Sequence, residues 1–390
     1  MHIERLRIKN FRSFREVEIA LPSLSVVVGA NASGKSNFVQ LFRFLRDLAR
    51  EGLDNAVALQ GSIDYLRNLR IGHSEPLEIA VSVSDNSRPF KLDYELRLVF
   101  FKRKKGFRIE REAFRYEGPE FSSLGHPSGA EKKMLQLIVE RQHERMTVKI
   151  VPEPHHRPPR ILFPDRIERD RSILPFLPGF GVWLFAGIAI YDLNPKTLKQ
   201  ATPLKGRASL EEDGSNLAVV LREILRHKES RQELLAHLQH FLPFIEDIRV
   251  QSLVDRSLFV QMYERYLHDR PVPSTLLSDG TIELVALTIA LYFMPGSIIV
   301  LEEPDRNLHP ILISRLMEMF QEVSRTKQVI FTTHNPEVVR HTPLESLLLV
   351  SRDGDGFSII TRPAEQNMVK TFLEQELGLE ELFVENLLGA

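Results

Sequence analysis

Val26-Val27-Val28-Gly29-Ala30-Asn31-Ala32-Ser33-Gly34-Lys35-Ser36-Asn37 is a short β-rich run that breaks into a glycine-bounded loop and then a helix pattern. Gly29 and Gly34 bracket four residues and precede Lys35 and Ser36, which satisfies the Walker A spacing of a phosphate-binding loop. Glycines let the backbone curl until successive N–H groups point inward, and the following helix adds free N-terminal amides and the positive end of its dipole. Lys35 is placed to reach β- and γ-phosphates and Ser36 to ligate Mg²⁺, within a loop that runs from Gly29 through Asn31 and Gly34 to Asn37. Leu24, Val26 and Val28 before the loop read as a strand. Phe38, Leu41, Phe42, Leu45 and Leu48 after it recur at helical spacing, and Gly52 suits the helix end.

The 390 residues, 43% apolar and 26% charged, can bury a large core and suggest two or three lobes. The longest apolar run, around Leu284 to Met294, stops at Pro295-Gly296, short of the ~20 residues that span a bilayer. The opening Met1-His2-Ile3-Glu4-Arg5 lacks the apolar region of a signal peptide, and there is no cysteine. We therefore expect a cytoplasmic protein with no disulfide, no thiolate metal site and no membrane partner. Lys and Arg number 51 against 52 acids, a net charge of −1, so any nucleic-acid contact must come from local patches.

Residues 3–9 alternate as a strand, with Val17-Glu18-Ile19 as its hairpin partner. Between them lies Asn10-Phe11-Arg12-Ser13-Phe14. This corner resembles the start of the RecF/SMC/OLD-type branch of the ABC ATPases, in which a basic residue of the corner lies near the nucleotide. The resemblance makes Arg12 a candidate phosphate contact; a surface Arg beside two core Phe is the alternative. Three strand-like runs follow at 77–84, 90–101 and 107–116, the pattern of an antiparallel meander. The second turn carries Lys102, Arg103, Lys104 and Lys105, with Arg108, Arg111 and Arg115 beyond. A basic turn of this kind is either a phosphate clamp for DNA or solvated charge at a hairpin tip.

Residues 117–208 are rich in Pro and Gly, with a helix expected from Glu131 to Glu144 and then irregular chain. Arg157, Arg160, Arg166, Arg169 and Arg171 there face only three acids, and His155-His156 lacks further ligands at a recognised spacing. Helices over 215–227, capped by Ser215, and 229–241 form an expected helical hairpin. Sustained heptads, and so long coiled-coil arms, are missing.

After a strand pair near 247–263, Leu276-Leu277-Ser278-Asp279-Gly280-Thr281 opens an apolar helix, with Ser278 or Asp279 as its cap. Ile298-Ile299-Val300-Leu301 then runs into Glu302-Glu303-Pro304, two carboxylates at the end of a buried strand. Like charges so placed oppose each other's ionisation unless a cation or proton compensates. A Walker B assignment explains both: Glu302 in the Mg²⁺ shell, and Glu303 polarising the attacking water. Gln328 to Thr333 is another buried-type strand, ending at His334-Asn335-Pro336.

The order of phosphate loop, Ser-Asp-Gly signature, paired acids and strand-end histidine resembles the ABC ATPase head, closest to stand-alone RecF/OLD-like ATPases. In those, a stretch like Asp213 to Ala218 (DGSNLA) precedes the signature. The resemblance implies an α/β P-loop fold with an antiparallel meander and a helical or irregular insert. It also implies ATP and Mg²⁺ as ligands, Lys35, Glu303 and His334 as catalytic, and Ser278 and Gly280 meeting the nucleotide held by a second copy in an ATP-dependent homodimer. Four departures stand out. Glu302 replaces the commoner Asp, the signature reads Ser-Asp-Gly, and His309 sits where transporters carry Asp. Gln60 is the best, weak candidate for the Q-loop glutamine. Asp353-Gly354-Asp355-Gly356 reads as a hairpin turn, and no nuclease site is expected.

The chain divides into an N-terminal lobe (1–116), an insert (117–246), a second catalytic half (247–363) and an acidic, leucine-rich helical tail (364–390). By resemblance the work is on DNA, in repair, recombination or defence against foreign DNA. A regulatory sensor ATPase gating a separate effector, such as a nuclease or toxin, is the alternative; a transporter subunit fits poorly with the meander and the insert.

Overall fold

Ile3, Leu6 and Ile8 all point into the core from β1 (His2–Phe11) although the first two are three residues apart; a bulge between Ile3 and Arg5 absorbs the extra residue. The chain is described by a computed structural model at residues 1–85, 90–101, 106–119, 134–151, 167–168, 171–174, 185–204, 209–254, 256–267, 270–369 and 378–385. β1 pairs with β2 (Phe14–Ala20) through the Asn10–Phe14 corner. There Phe11 and Phe14 are fully buried, while Asn10 and Arg12 take left-handed backbone angles, φ 53° and 46°. The Asn10 amide is tied to a segment distant in sequence, donating to Glu75 O (2.8 Å) and accepting from Asn68 N (3.0 Å). Arg12 is held in the same way, its N–H donating to Leu66 O (2.9 Å), so contacts with the segment packed on the hairpin hold both strained backbones.

On the other edge of β1, strands β4 (Leu77–Ser84), β5 (Lys91–Phe100), β6 (Phe107–Pro119), β7 (Met134–Gln142) and β8 (Arg145–Val151) follow one another antiparallel. The expected meander is thus present and longer by two strands. β7 occupies the stretch where a helix was expected from Glu131 to Glu144. Leu135, Leu137 and Val139 are buried at a spacing of two and pair with β6, so cross-strand burial overrides the helix propensity of Glu, Gln and Leu.

The catalytic part of the 13-stranded sheet is parallel. In spatial order it runs β16 (Leu347–Arg352), β3 (Leu24–Val28), β15 (Gln328–Thr333), β14 (Ile298–Glu302) and β9 (Ile188–Tyr191). Both faces are covered, which explains the unbroken apolar runs: Val27 packs into one core, Val26 and Val28 into the other. Strand β17 (Ser358–Thr361) returns antiparallel to β16 after the Asp353–Gly356 turn, as expected. A smaller sheet, β10 (Thr202–Pro203) to β13 (Val272–Pro273), is built mainly from β11 (Ile245–Ser252) and β12 (Ser257–Glu264). Helices Leu217–Leu225 and Lys228–Phe241 pack on it. Ser215 is not the cap of the first. Asn216 holds that position, and its side chain ties Glu211 N and Ser209 O into a turn instead.

Residues 167–168 and 171–174 are stitched to the meander by a buried polar knot. Glu112, fully buried on β6, accepts from Tyr94 Oη (2.7 Å), Ser172 Oγ (2.6 Å) and Ile173 N (2.9 Å). Opposite it on β7, fully buried Arg141 donates to the carbonyls of His143, Glu168 and Arg171. Glu112→Ala leaves three buried donors without their acceptor. We expect a loss of about 3–5 kcal/mol in denaturant unfolding, with Glu112→Gln losing less because it keeps an acceptor oxygen.

Candidate nucleotide site

Register brings the site together. Thr333 lies opposite Val28 and Thr332 opposite Glu302, so the loop after β3, His334 after β15 and Glu302-Glu303 at the end of β14 emerge side by side. This is the crevice at the carboxyl ends of parallel strands where α/β proteins bind ligands. Gly34 caps the Lys35–Glu51 helix at φ 122°, and a Cβ there would lie 2.2 Å from Ser358 Oγ. A Cβ on Gly29 would lie 2.2 Å from Val350 O, so backbone meets backbone with no room for a side chain. Lys35 is buried, its Nζ donating to Gly29 O (2.8 Å) and Ala30 O (3.1 Å); Ser36 and Asn31 are exposed. Burial pulls the Lys35 ammonium down from the usual lysine range, against the charges of Glu303 and Glu302.

The loop is braced from β16 and β17. Arg352 donates to Ala32 O from Nε (3.1 Å) and Nη2 (2.8 Å), and Ser358 Oγ donates to Ser33 O (2.5 Å). Asn37 Nδ2 donates to Ser13 Oγ, and the Ser13 and Ser358 hydroxyls are hydrogen-bonded to each other, at 2.8 Å each, which ties the loop to the Arg12 corner. Arg12 itself donates to Gln60 Oε1 (2.6 Å), and its Nε is buried without a partner. Burial, and then the charge of Arg43, pulls its guanidinium down. The pairing puts Gln60 at the same corner as Arg12 but leaves its own candidate role open.

Glu302 faces Arg43 Nη2 at 3.5 Å; Arg43 also pairs with Glu212, which Arg46 holds at 3.1 Å. Glu303 has φ 45° and is anchored by its N–H, which donates to Thr332 O (3.0 Å) and Oγ1 (3.2 Å). Its Oε1 is 3.1 Å from His334 Nδ1 and its Oε2 is 3.2 Å from Arg306 Nε. Thr333 Oγ1 donates to buried Asp305 (2.9 Å) and accepts from Asn335 N (3.0 Å), fixing the backbone on both sides of His334. Ser278 caps the Asp279–Thr288 helix, its Oγ accepting from Thr281 N (3.1 Å). A Cβ on Gly280 would lie 2.5 Å from Asn307 O, so the signature rests on the turn after β14.

Arg43, Asp192, Glu212, Asp305 and Arg306 were not singled out in the sequence. Two of them had a readable signal: Arg43 lies eight residues after Lys35, on the same helical face, and Asp192 ends a four-residue apolar strand just as Glu302 does. The basic residues proposed for DNA fare differently. Lys102 to Lys105, Arg157, Arg160, Arg166 and Arg169 lie outside the described residues, as does the His155-His156 pair, which lacked a metal-ligand spacing. Arg115 bonds Glu95 and Glu140 at 3.0 Å each, Arg111 lies 3.5 Å from the same two acids, and Arg97 bonds Glu78 and Glu110. That face of the meander is therefore a neutralised charge ladder.

A family model described as "AAA domain, putative AbiEii toxin, Type IV TA system" matches residues 24–340. The chain belongs to that family. The DNA replication and repair protein RecF of Halalkalibacterium halodurans is 44% identical over 46 residues, 12% of each chain. An uncharacterized protein of Methanocaldococcus jannaschii is 26% identical over 150 residues, 35% of this chain and 39% of that protein. The chain thus matches well under half the length of these curated relatives. A crystal structure of an SMC head bound to the C-terminal winged-helix domain of ScpA superposes with a TM-score of 0.53 at 16% identity, covering 93% of this chain and 97% of that one. The fold is that of an ABC-type ATPase head of the RecF/SMC class, as the sequence motifs led us to expect. Among the described residues no helix is long and apolar enough to cross a membrane, and no group of three or more His, Asp or Glu side chains is arranged to hold a metal by itself. A Mg²⁺ ion would need the Ser36 hydroxyl and phosphate oxygens besides Glu302.

Glu283, buried in the signature helix, accepts from Asn307 Nδ2 (2.8 Å) and is pushed up to about 7, mainly by burial. The folded protein therefore keeps a proton between pH 4.5 and 7 that the unfolded chain releases. Stability falls with rising pH across that window and levels off above it, by on the order of 3 kcal/mol at most. Glu283→Gln, which retains the acceptor for Asn307, should flatten this dependence in urea unfolding followed from pH 5 to 8.

Proposed function

We propose that the protein hydrolyses ATP with Mg²⁺. The observation that carries this is the convergence of Lys35, Ser36, Glu302, Glu303 and His334 at the ends of three adjacent parallel strands. The loop amides from Gly29 through Asn31 and Gly34 to Asn37 cradle the phosphates, Lys35 balances their charge, and Arg12 approaches from the corner. Ser36 and Glu302 would hold Mg²⁺, which would supply charge neutralisation at the phosphates. Glu303 orients the attacking water and takes its proton, with His334 fixing one carboxylate oxygen.

Ser278 and Gly280 open a helix whose N-terminus is suited to a phosphate presented by a second copy, so the active assembly is an ATP-dependent homodimer. The work is on DNA in repair, recombination or defence; RecF, similar over 46 residues, is by name a DNA replication and repair protein. The second reading is a sensor ATPase that gates an effector. It is favoured by the tail, whose Leu379–Val384 helix packs on the Pro336–Arg340 helix that follows His334, with Leu382 buried and Glu380 3.5 Å from Arg340. The family description, which names a toxin–antitoxin system, agrees with that reading.

Lys35→Ala should abolish nucleotide binding in a fluorescent-ATP titration. Glu303→Gln should keep ATP bound while turnover falls by about 10²-fold or more, and its hydrodynamic mass with ATP should rise to that of a dimer unless Ser278→Arg is added. Wild-type turnover in Lys35→Ala removes the reading. Salt-insensitive, weak binding to duplex DNA favours the sensor over the DNA role.

A further inference from the structure

Both carboxylate oxygens of Glu303 are engaged, Oε1 by His334 at 3.1 Å and Oε2 by Arg306 at 3.2 Å. Oε2 is thereby turned toward the guanidinium, and a water positioned by that oxygen competes with Arg306 for it. The Glu303 backbone is pinned by two bonds to Thr332, and His334 is flanked by the Asp305–Thr333–Asn335 relay. Arg306 is different: it sits in the turn after β14 with its side chain half-exposed. It also has a second acid within reach, because its Nη2 is 3.9 Å from Asp192 Oδ1.

Asp192 is fixed at the end of β9 by its N–H, which donates to Glu212 O at 2.9 Å. Among the described residues Arg306 is the one cation within 4.0 Å of its carboxylate. Burial, and then the charge of Glu302, pushes the Asp192 carboxyl up, while Arg306 and Arg43 act in the other direction.

We propose that Arg306 is a positioning residue that moves from Glu303 to Asp192, freeing Oε2 of Glu303 for the attacking water. The inference rests on the ATPase reading above. Neither Arg306 nor Asp192 touches the reacting atoms; each acts through Glu303.

The test is a pair of substitutions and their combination. Arg306→Ala should raise kcat several-fold at unchanged KM for ATP, since the restraint on Glu303 is gone. Asp192→Asn should lower kcat several-fold, because Arg306 loses its alternative partner. In the double variant the Asp192→Asn defect should vanish, leaving the kcat of Arg306→Ala. A readout that does not depend on turnover is a thermal-unfolding cycle with a non-hydrolysable ATP analogue and Mg²⁺. Coupling in Tm between Arg306→Ala and Asp192→Asn should grow on adding the analogue, while coupling between Arg306→Ala and Glu303→Gln shrinks.

A fall in kcat for Arg306→Ala, or an Asp192→Asn defect that persists in its background, overturns the proposal, as does coupling in Tm that the analogue leaves unchanged. If wild type and Lys35→Ala hydrolyse ATP equally, the ATPase reading has failed instead, and the two failures are distinguishable.

Discussion

Parallel pairing of β3, β15 and β14, with Thr333 opposite Val28 and Glu302 opposite Thr332, is the constraint on which the site depends. A strand displaced by one residue would turn its buried side chains to the other face, and here each face packs into a separate core. Val27 and Val28 belong to different cores, as do Val300 and Leu301. The register is thus held from both sides by apolar burial, and the polar ends of the strands are carried to fixed positions as a consequence.

Around those strand ends the charges are each engaged: Lys35 by its own loop carbonyls, Glu302 by Arg43, Glu303 by Arg306 and His334, and Asp192 by Arg306. Such pairing holds unlike charges in a crevice without demanding that any be fully buried and alone. The same group contains the phosphate-binding lysine and both strand-end acids, so a ligand carrying several negative charges would redistribute it. The bracing of the loop by Arg352 and Ser358 keeps that redistribution in the side chains rather than the backbone.

The neutralised face of the meander bears on partners. Arg111 and Arg115 looked, in order along the chain, like part of a basic cluster, yet each lies across the sheet from Glu residues of neighbouring strands. Charge counted along a chain and charge presented on a surface differ wherever strand pairing brings distant acids alongside. The tail shows the converse: acidic and leucine-rich in sequence, it buries Leu382 and pairs Glu380 with Arg340.

Local chemistry was legible in the sequence itself. The glycine loop, the Ser278 cap, the hairpin turn at Asp353–Gly356 and the apolar strands ending in Glu302 and His334 depend on residue type and spacing over a few positions, and all have the expected form. What only the tertiary structure decided depends on residues far apart in the chain. β7 is a strand because β6 and β8 flank it, and Ser13, Asn37 and Ser358 meet because a hairpin folds over the loop. Asp192 joins the site because β9 lies beside β14, and Arg306 faces two acids because that neighbour is there. Short-range steric and hydrogen-bonding preferences are written residue by residue, whereas strand order is settled by which apolar faces bury one another, a property of the whole chain.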